Sequence, residues 1–276
     1  MEILIPLIHS SLFIMIPLLF AAAGGLFPAL CGKLNIALEG MLLTGAFFAI
    51  TVFHFTGSWV LAVLTAAAAA AALSLIHVYS VFFLKANLFI CGLAINLFSG
   101  GLCIVLSDKI FNTKGVVVSS KINGSQWFLF TGILLLFVIW LLLYKTPFGL
   151  RLRACDKNSE ALKSLGISPQ FYQTIAFLIS GVLCGVGGAF MSLNLGSYVP
   201  GMSAGKGWIA LVVIFLGGKR PFGLLGAAFV FALAEAFSNY AQGFWQIPAD
   251  FILAFPYICT FIALIAVSVS SSSLKE

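Results

Sequence analysis

Apolar runs near the length of a bilayer crossing recur along this chain, at 3–30, 36–54, 58–84, 88–107, 126–145, 171–194, 206–217, 221–240 and 250–270. An α-helix needs roughly 20 apolar residues to cross a hydrocarbon core of about 30 Å. Inside lipid, each backbone N–H and C=O must be satisfied by protein, which leaves helices and closed barrels as the only spanning structures. These runs are continuous and lack the two-residue alternation of barrel strands, so helices are selected. The expected fold class is all-α, a polytopic membrane protein with about 8–10 transmembrane helices, some of them short or broken.

The composition agrees: 62% of the residues are hydrophobic and 8% charged, with a mean hydropathy of +1.14. A soluble domain is about a quarter charged, so that class is excluded. The first run has no basic residues ahead of it and is too long for the core of a secretory signal, so it reads as a retained span. The run at 206–217 is too short to cross comfortably. Gly205, Gly207, Gly217, Gly218 and Pro221 surround it, which suggests a re-entrant or broken helix. We read residues 1–276 as one transmembrane domain with a cytoplasmic loop at 146–170.

The net charge of +6 does not imply a nucleic-acid partner, because the cations sit in short loops between spans. If the loop with Lys145, Arg151, Arg153, Lys157 and Lys163 is cytoplasmic, alternation also places Lys33, Lys85, Lys219, Arg220 and Lys275 inside, ten of fourteen basic residues. The N-terminus is then outside and the C-terminus inside. Cys31, Cys91, Cys103, Cys155, Cys184 and Cys259 show no metal or disulfide spacing and read as small buried hydrophobes. The polar stretch 107–126 reads as an outer loop containing a short strand or hairpin, either a solvated connection or a contact for an external partner. Alanine-rich 62–75 reads as a helix-packing surface. The many Phe residues face lipid or neighbouring helices and identify no site.

Polar groups inside apolar runs are costly and invite functional readings. "LCGKLNIALEG" places Lys33, Asn35 and Glu39 together. At helical spacing Asn35 and Glu39 share a face; they could bond one another, cap the broken start of the second span, or line a solute path. Asn96, in "CGLAINLFSGG", could hold helices together or hydrogen-bond a solute. Asn35, Glu39 and Asn96 are the candidate pathway residues. Glu235 is a further candidate, Asp250 reads as an N-cap before the last run, and Lys206 as a snorkelling lysine at the outer mouth of the short segment.

In the loop "YKTPFGLRLRACDKNSEALKSLGISPQFYQ", Pro147 and Gly149 break the incoming helix. Asn158 or Ser159 can then N-cap a short helix that Gly166 ends. Ala161, Leu162 and Leu165 form an apolar side, which needs either a protein partner or the membrane surface to pack against.

No G-x-x-x-x-G-K-[ST] motif is present, and "GGKRPFG" has no Ser or Thr after its Lys. His9, His54 and His77 fall in different spans without a triad arrangement, so no catalytic or metal-ligating residues are expected and the chain is not read as an enzyme.

The loop, with "GGLFPALCGKLNIALEGMLLTGAF", "SLIHVYSVFFLKANLFICGLAINLFSGGL" and "GKGWIALVVIFLGGKRPFGLLGAA", resembles permease subunits of ABC importers. The resemblance is to the branched-chain amino acid, simple-sugar and nucleoside group, and within it to nucleoside-type members. It runs over about 18–236, with four motifs in order. Lys33 and Ala37 depart from the family's commoner serine or arginine and glycine, and the chain is short.

The resemblance implies a coupling helix that inserts into a cytoplasmic ATPase. It carries over onto 149–166 and gives candidate ATPase-coupling residues Asp156, Asn158, Ser159, Glu160, Ala161, Leu162, Leu165 and Gly166, with Leu162 and Leu165 packing on the ATPase. It further implies a second permease subunit, related but not identical, and an extracytoplasmic substrate-binding protein. The site would be the bacterial cytoplasmic membrane, with ATP and Mg held by the partner ATPase and no cofactor in this chain. A nucleoside is the first substrate expectation and riboflavin the second, then sugars or branched-chain amino acids. An ion-coupled secondary transporter is the alternative of a different class.

Overall fold

The computed structural model of the chain describes residues 4–119 and 126–242. The helices are α1 (Leu4–Leu30), α2 (Leu38–Thr56), α3 (Trp59–Phe82), α4 (Leu88–Phe111), α5 (Gln126–Lys145), α6 (Pro147–Lys157), α7 (Ser159–Ser164), α8 (Pro169–Leu195), α9 (Lys206–Leu216) and α10 (Pro221–Ala241). Two short strands, β1 (Val117–Val118) and β2 (Ser197–Tyr198), pair antiparallel. All eight apolar runs up to residue 241 are helices, and the largest boundary difference is α4, which continues to Phe111 rather than 107. The expected span at 250–270, with Asp250, Cys259 and Lys275, lies outside the described residues.

Local chemistry sets several ends. Asn87 N-caps α4, its Oδ1 accepting from the Phe89 and Ile90 amides at 2.9 and 3.2 Å. Ser58 caps α3, and Gly57, at φ 65, closes α2 in the left-handed conformation that glycine takes without a Cβ penalty. Thr146 caps α6 and Pro147 opens it, so the proline that stops α5 also starts the next helix. The two helices meet at 72°. A Cβ on Gly149 would run into the Leu143 backbone, which is why the bend requires glycine there.

Helix α1 lies at the centre, against α8, α10, α9, α5 and α6. Burial grades outward from it: 83% of its most apolar stretch is buried, against 28% for α3 and 22% for α4. Helix α8 packs on α1, α2 and α3 at backbone distance. A Cβ on Gly45 would lie 2.6 Å from the Gly185 carbonyl, and one on Gly185 would lie 2.5 Å from that of Ala66. Small residues at such crossings let membrane helices gain dispersion contact where lipid supplies no hydrophobic drive.

One face carries the C-terminal end of α1, α6, α7 and the α9–α10 turn. There Lys219 Nζ reaches the Ala29 carbonyl at 3.5 Å, and the Asp156 side chain lies against Gly32. Lys33, Arg151, Arg153, Lys157, Lys163 and Arg220 belong to the elements of this face, so the positive-inside rule makes it the side expected to be cytoplasmic, and it is the cytoplasmic face in that sense. The opposite end holds the β1–β2 pair, with Val117 opposite Tyr198, so the stretch 107–126 does contain a short strand.

The α2–α8 crossing yields a prediction. Gly188→Val would press a side chain into the Leu42 carbonyl and the Ala46 amide. It should destabilise by roughly 1–3 kcal/mol, read as a lower thermal midpoint in detergent. Gly100→Ala, in the interior of α4 where a Cβ meets open space, should keep that midpoint or raise it slightly.

Candidate functional site

Helix α9 has 11 residues. At about 1.5 Å per residue it covers roughly 16 Å, half of a hydrocarbon core. Its C-terminal end closes on the cytoplasmic face: Lys219 N donates to Ile214 O and Gly218 N to Phe215 O, both at 3.0 Å, a Schellman closure with Gly218 at φ 62. Its N-terminus therefore lies about midway across the membrane, and the chain descends to it from β2 through 199–205. This resolves the short seventh segment as a half-helix.

A buried helix N-terminus presents partial positive charge and unpaired amides. Here each is answered. Glu39 accepts from Gly205 N at 2.9 Å through Oε1 and from Gly207 N at 2.7 Å through Oε2. Lys206 N donates to Ser203 O at 2.9 Å and Trp208 N to Gly205 O at 3.0 Å. Gly205 sits at φ 79, and Gly207 allows the Glu39 backbone to approach where a Cβ could not fit. Glu39 also lies in the first turn of α2, so one carboxylate faces the positive ends of two helices.

The two amides build the start of α2. Asn35 Oδ1 accepts from Ala37 N at 3.0 Å, and its Nδ2 donates to Ser180 Oγ on α8 at 2.8 Å; the side chain is fully buried. Asn96 Oδ1 accepts from Gly40 N at 2.8 Å while its Nδ2 donates to Ile36 O at 2.9 Å. Asn35 and Glu39 do not bond one another, because α2 begins at Leu38 and Asn35 stands outside its helical register. Of the three candidate pathway residues, Asn35 and Asn96 thus hydrogen-bond the backbone at the start of α2, and Glu39 caps α9 rather than α2.

Lys206, the first residue of α9, is ion-paired with Glu235 on α10. Their side chains are only 12% and 26% exposed, so Lys206 is not a snorkelling lysine at the outer mouth. An ammonium held this far from water needs an anion, and Glu235 supplies it. Glu39, Lys206 and Glu235 thus form a charged centre around the α9 N-terminus.

On the cytoplasmic face the expected single helix is two. Asp156 belongs to α6, Asn158 occupies the α7 N-cap position without a side-chain cap bond, and Ser159 is the first residue of α7. Gly166, at φ 73, ends α7 as expected: Ile167 N donates to Leu162 O at 2.9 Å and Gly166 N to Lys163 O at 3.0 Å. The apolar side divides. Leu162 is 5% exposed and belongs to the chain's own core, whereas Leu165 is 74% exposed. Ala161 and Glu160 are exposed as well. Leu162 thus faces the chain's own core, and Leu165, expected beside it on the ATPase surface, is the one of the two left exposed.

Sequence reasoning missed α6, although Phe148, Leu152 and Cys155 follow helical spacing and turn inward. Cys31, just beyond α1, donates to Leu152 O at 3.5 Å, and burial pushes its thiol well above the usual range, consistent with an inert structural cysteine. Ser180 and the 205 and 207 amides carried no local signal as partners of Asn35 and Glu39. Among the described residues no cluster suited to a metal is present.

Glu39→Gln keeps the shape but sets an NH2 group against one of the two α9 amides. An unsatisfied buried donor costs about 1–3 kcal/mol, so the variant should assemble yet melt earlier and transport more slowly. A variant melting and transporting like the parent would show that the carboxylate does not hold α9.

Comparison with known proteins places this architecture. Residues 7–265 match the family described as "Branched-chain amino acid transport system / permease component". The guanosine ABC transporter permease protein NupQ of Bacillus subtilis is 32% identical over 95% of this chain and 92% of its own. The nucleoside ABC transporter permease protein NupC of Lactococcus lactis is 29% identical over 94% of this chain and 90% of its own. The solved structure of PsaBC from Streptococcus pneumoniae in complex with Fab shares the fold, with a TM-score of 0.52 at 13% identity over 92% of this chain and 90% of that one. With its apolar spans and its central half-helix, the chain belongs to the branched-chain amino acid transport system permease component family and is a multi-pass permease subunit of an ABC importer in the cytoplasmic membrane.

Proposed function

We propose that this permease carries a nucleoside inward and converts the work of a cytoplasmic ATPase into opening of the path. The observation that carries the substrate is the nearly end-to-end similarity to permeases named for guanosine and for nucleosides. An extracytoplasmic binding protein delivers the solute, a related second permease completes the path, and the ATPase holds ATP and Mg.

The ATPase grips α7 through Leu165, Ala161 and Glu160, the exposed part of the 156–166 stretch. Leu162 fastens α7 to the core, so a push on it cannot be absorbed locally. Helix α6 passes the push on: Arg151 Nη1 donates to Tyr172 Oη on α8 at 2.9 Å, and Leu152 receives the Cys31 thiol beside α1. From the end of α1 the Ala29–Lys219 contact leads to α9, whose far end is the charged centre of Glu39, Lys206 and Glu235. The charged centre positions α9 and sets the polarity of the path beside it.

The direct test reconstitutes the chain with its ATPase, second permease and binding protein in liposomes and follows labelled guanosine. Uptake should require ATP on the ATPase side and be competed by other nucleosides. Uptake indifferent to ATP but driven by an ion gradient would overturn the reading. A second test concerns the grip: Leu165→Asp should change stability by no more than about 0.5 kcal/mol, as exposed sites do, and so leave the thermal midpoint near that of the parent, while abolishing co-purification of the ATPase. Leu162→Asp should instead reduce folded yield. Retention of the ATPase by the Leu165 variant would remove α7 from the docking role.

A further inference from the structure

A groove on the cytoplasmic side joins a basic pocket to an aromatic slot. The pocket, of about 490 Å³, is lined by Tyr144, Arg153, Asp156, Lys157, Lys219 and Arg220 among others, four cations to one carboxylate. The slot, of about 900 Å³, is lined by Trp140, Leu216 and Phe222 and shares Tyr144, Gly218 and Arg220 with the pocket. Among the described residues none of the four cations is ion-paired. Arg153 lies 4.8 Å over the Tyr144 ring, and Lys145 lies 5.8 Å over Trp140 at the other end of the same aromatic row. The Trp140 and Phe222 rings, 6.2 Å apart, bridge α5 and α10.

We infer that this groove binds one anionic phospholipid, its phosphodiester among Arg153, Lys157, Lys219 and Arg220 and its acyl chains along Trp140 and Phe222. Two observations select this occupant. Four cations facing one carboxylate call for an anion, and basic pockets between helices on the cytoplasmic side suit lipid headgroups. The slot continues onto the outward faces of α5 and α10, where Phe137 and Phe222 are 48% and 53% exposed. A water-soluble partner would have no use for that apolar wall, whereas an acyl chain would. Tyr144 stands at the junction with its ring against Arg153, the amphipathic position aromatic residues take at a membrane interface.

The test uses the delipidated transporter complex and native mass spectrometry, adding phosphatidylglycerol, phosphatidylethanolamine or inorganic phosphate separately. Lys157→Gln with Arg220→Gln removes two exposed cations of the pocket that make no hydrogen bond within it; Lys163→Gln, outside the pocket, is the control. The parent and the control should retain phosphatidylglycerol over phosphatidylethanolamine, and the double variant should lose that preference by roughly an order of magnitude, at a few-fold for each cation removed. Equal retention of the two lipids by the parent, or an unchanged preference in the double variant, would overturn the assignment. So would inorganic phosphate displacing the lipid at equal concentration, which would make this a free-anion site. Loss of the co-purifying ATPase with the lipid preference intact would assign the groove to the protein partner instead.

Discussion

The arrangement rests on one carboxylate between two helix N-termini. Helix α9 stops about halfway across the membrane, and an unanswered set of amides there would be costly in a medium that offers no water. Glu39 answers two of them with both oxygens and places its charge near the positive end of α2 as well. With that bond in place, Lys206 is oriented from the first turn of α9 toward Glu235, and the segment 199–205 has a fixed point to descend to. Glycine at 205 and 207 is the steric condition for the contact, since a side chain at 207 would separate the two helix ends.

Around this point the fold follows a single rule: polar atoms are spent on each other wherever a helix breaks, and small residues are spent wherever helices cross. Asn35 and Asn96 together answer the 36–40 backbone at the start of α2, and Ser180 reaches in from α8 to complete Asn35. Gly181, Gly185 and Gly188 let the same α8 lie against α2 and α3 at backbone contact. Helix α8 therefore both seals the core and supplies the last hydrogen bond of the broken helix.

The spans were legible because crossing a bilayer demands length and apolarity, and both are local properties of sequence. Although the Asn87 cap of α4 went unread while standing directly before the span, helix ends were legible where a left-handed glycine lay within a few residues, as at Gly166. The charged centre was not, because its partners are remote: Gly205 lies 166 positions from Glu39, and Glu235 lies 29 from Lys206. The pairing of Asn35 with Glu39 assumed a helix through both, but the helix starts at Leu38, so their spacing carried no face information. Leu162 and Leu165 looked equivalent for the opposite reason. They share a stripe on a short helix, and only the tertiary placement of that helix decides which one the core takes.

The β1–β2 pair has a mechanical meaning beyond closing the outer surface. Strand β2 leads within a few residues into the descent toward α9, so the outer loop that carries β1 is tethered to the same half-helix whose other end is tied to Ala29 through Lys219. Helix α9 is thus a strut tied toward both faces of the molecule. If equilibrium binding at the outer face and at the inner face each biases this strut, linkage makes the coupling reciprocal, so that each ligand changes the affinity for the other by the same factor.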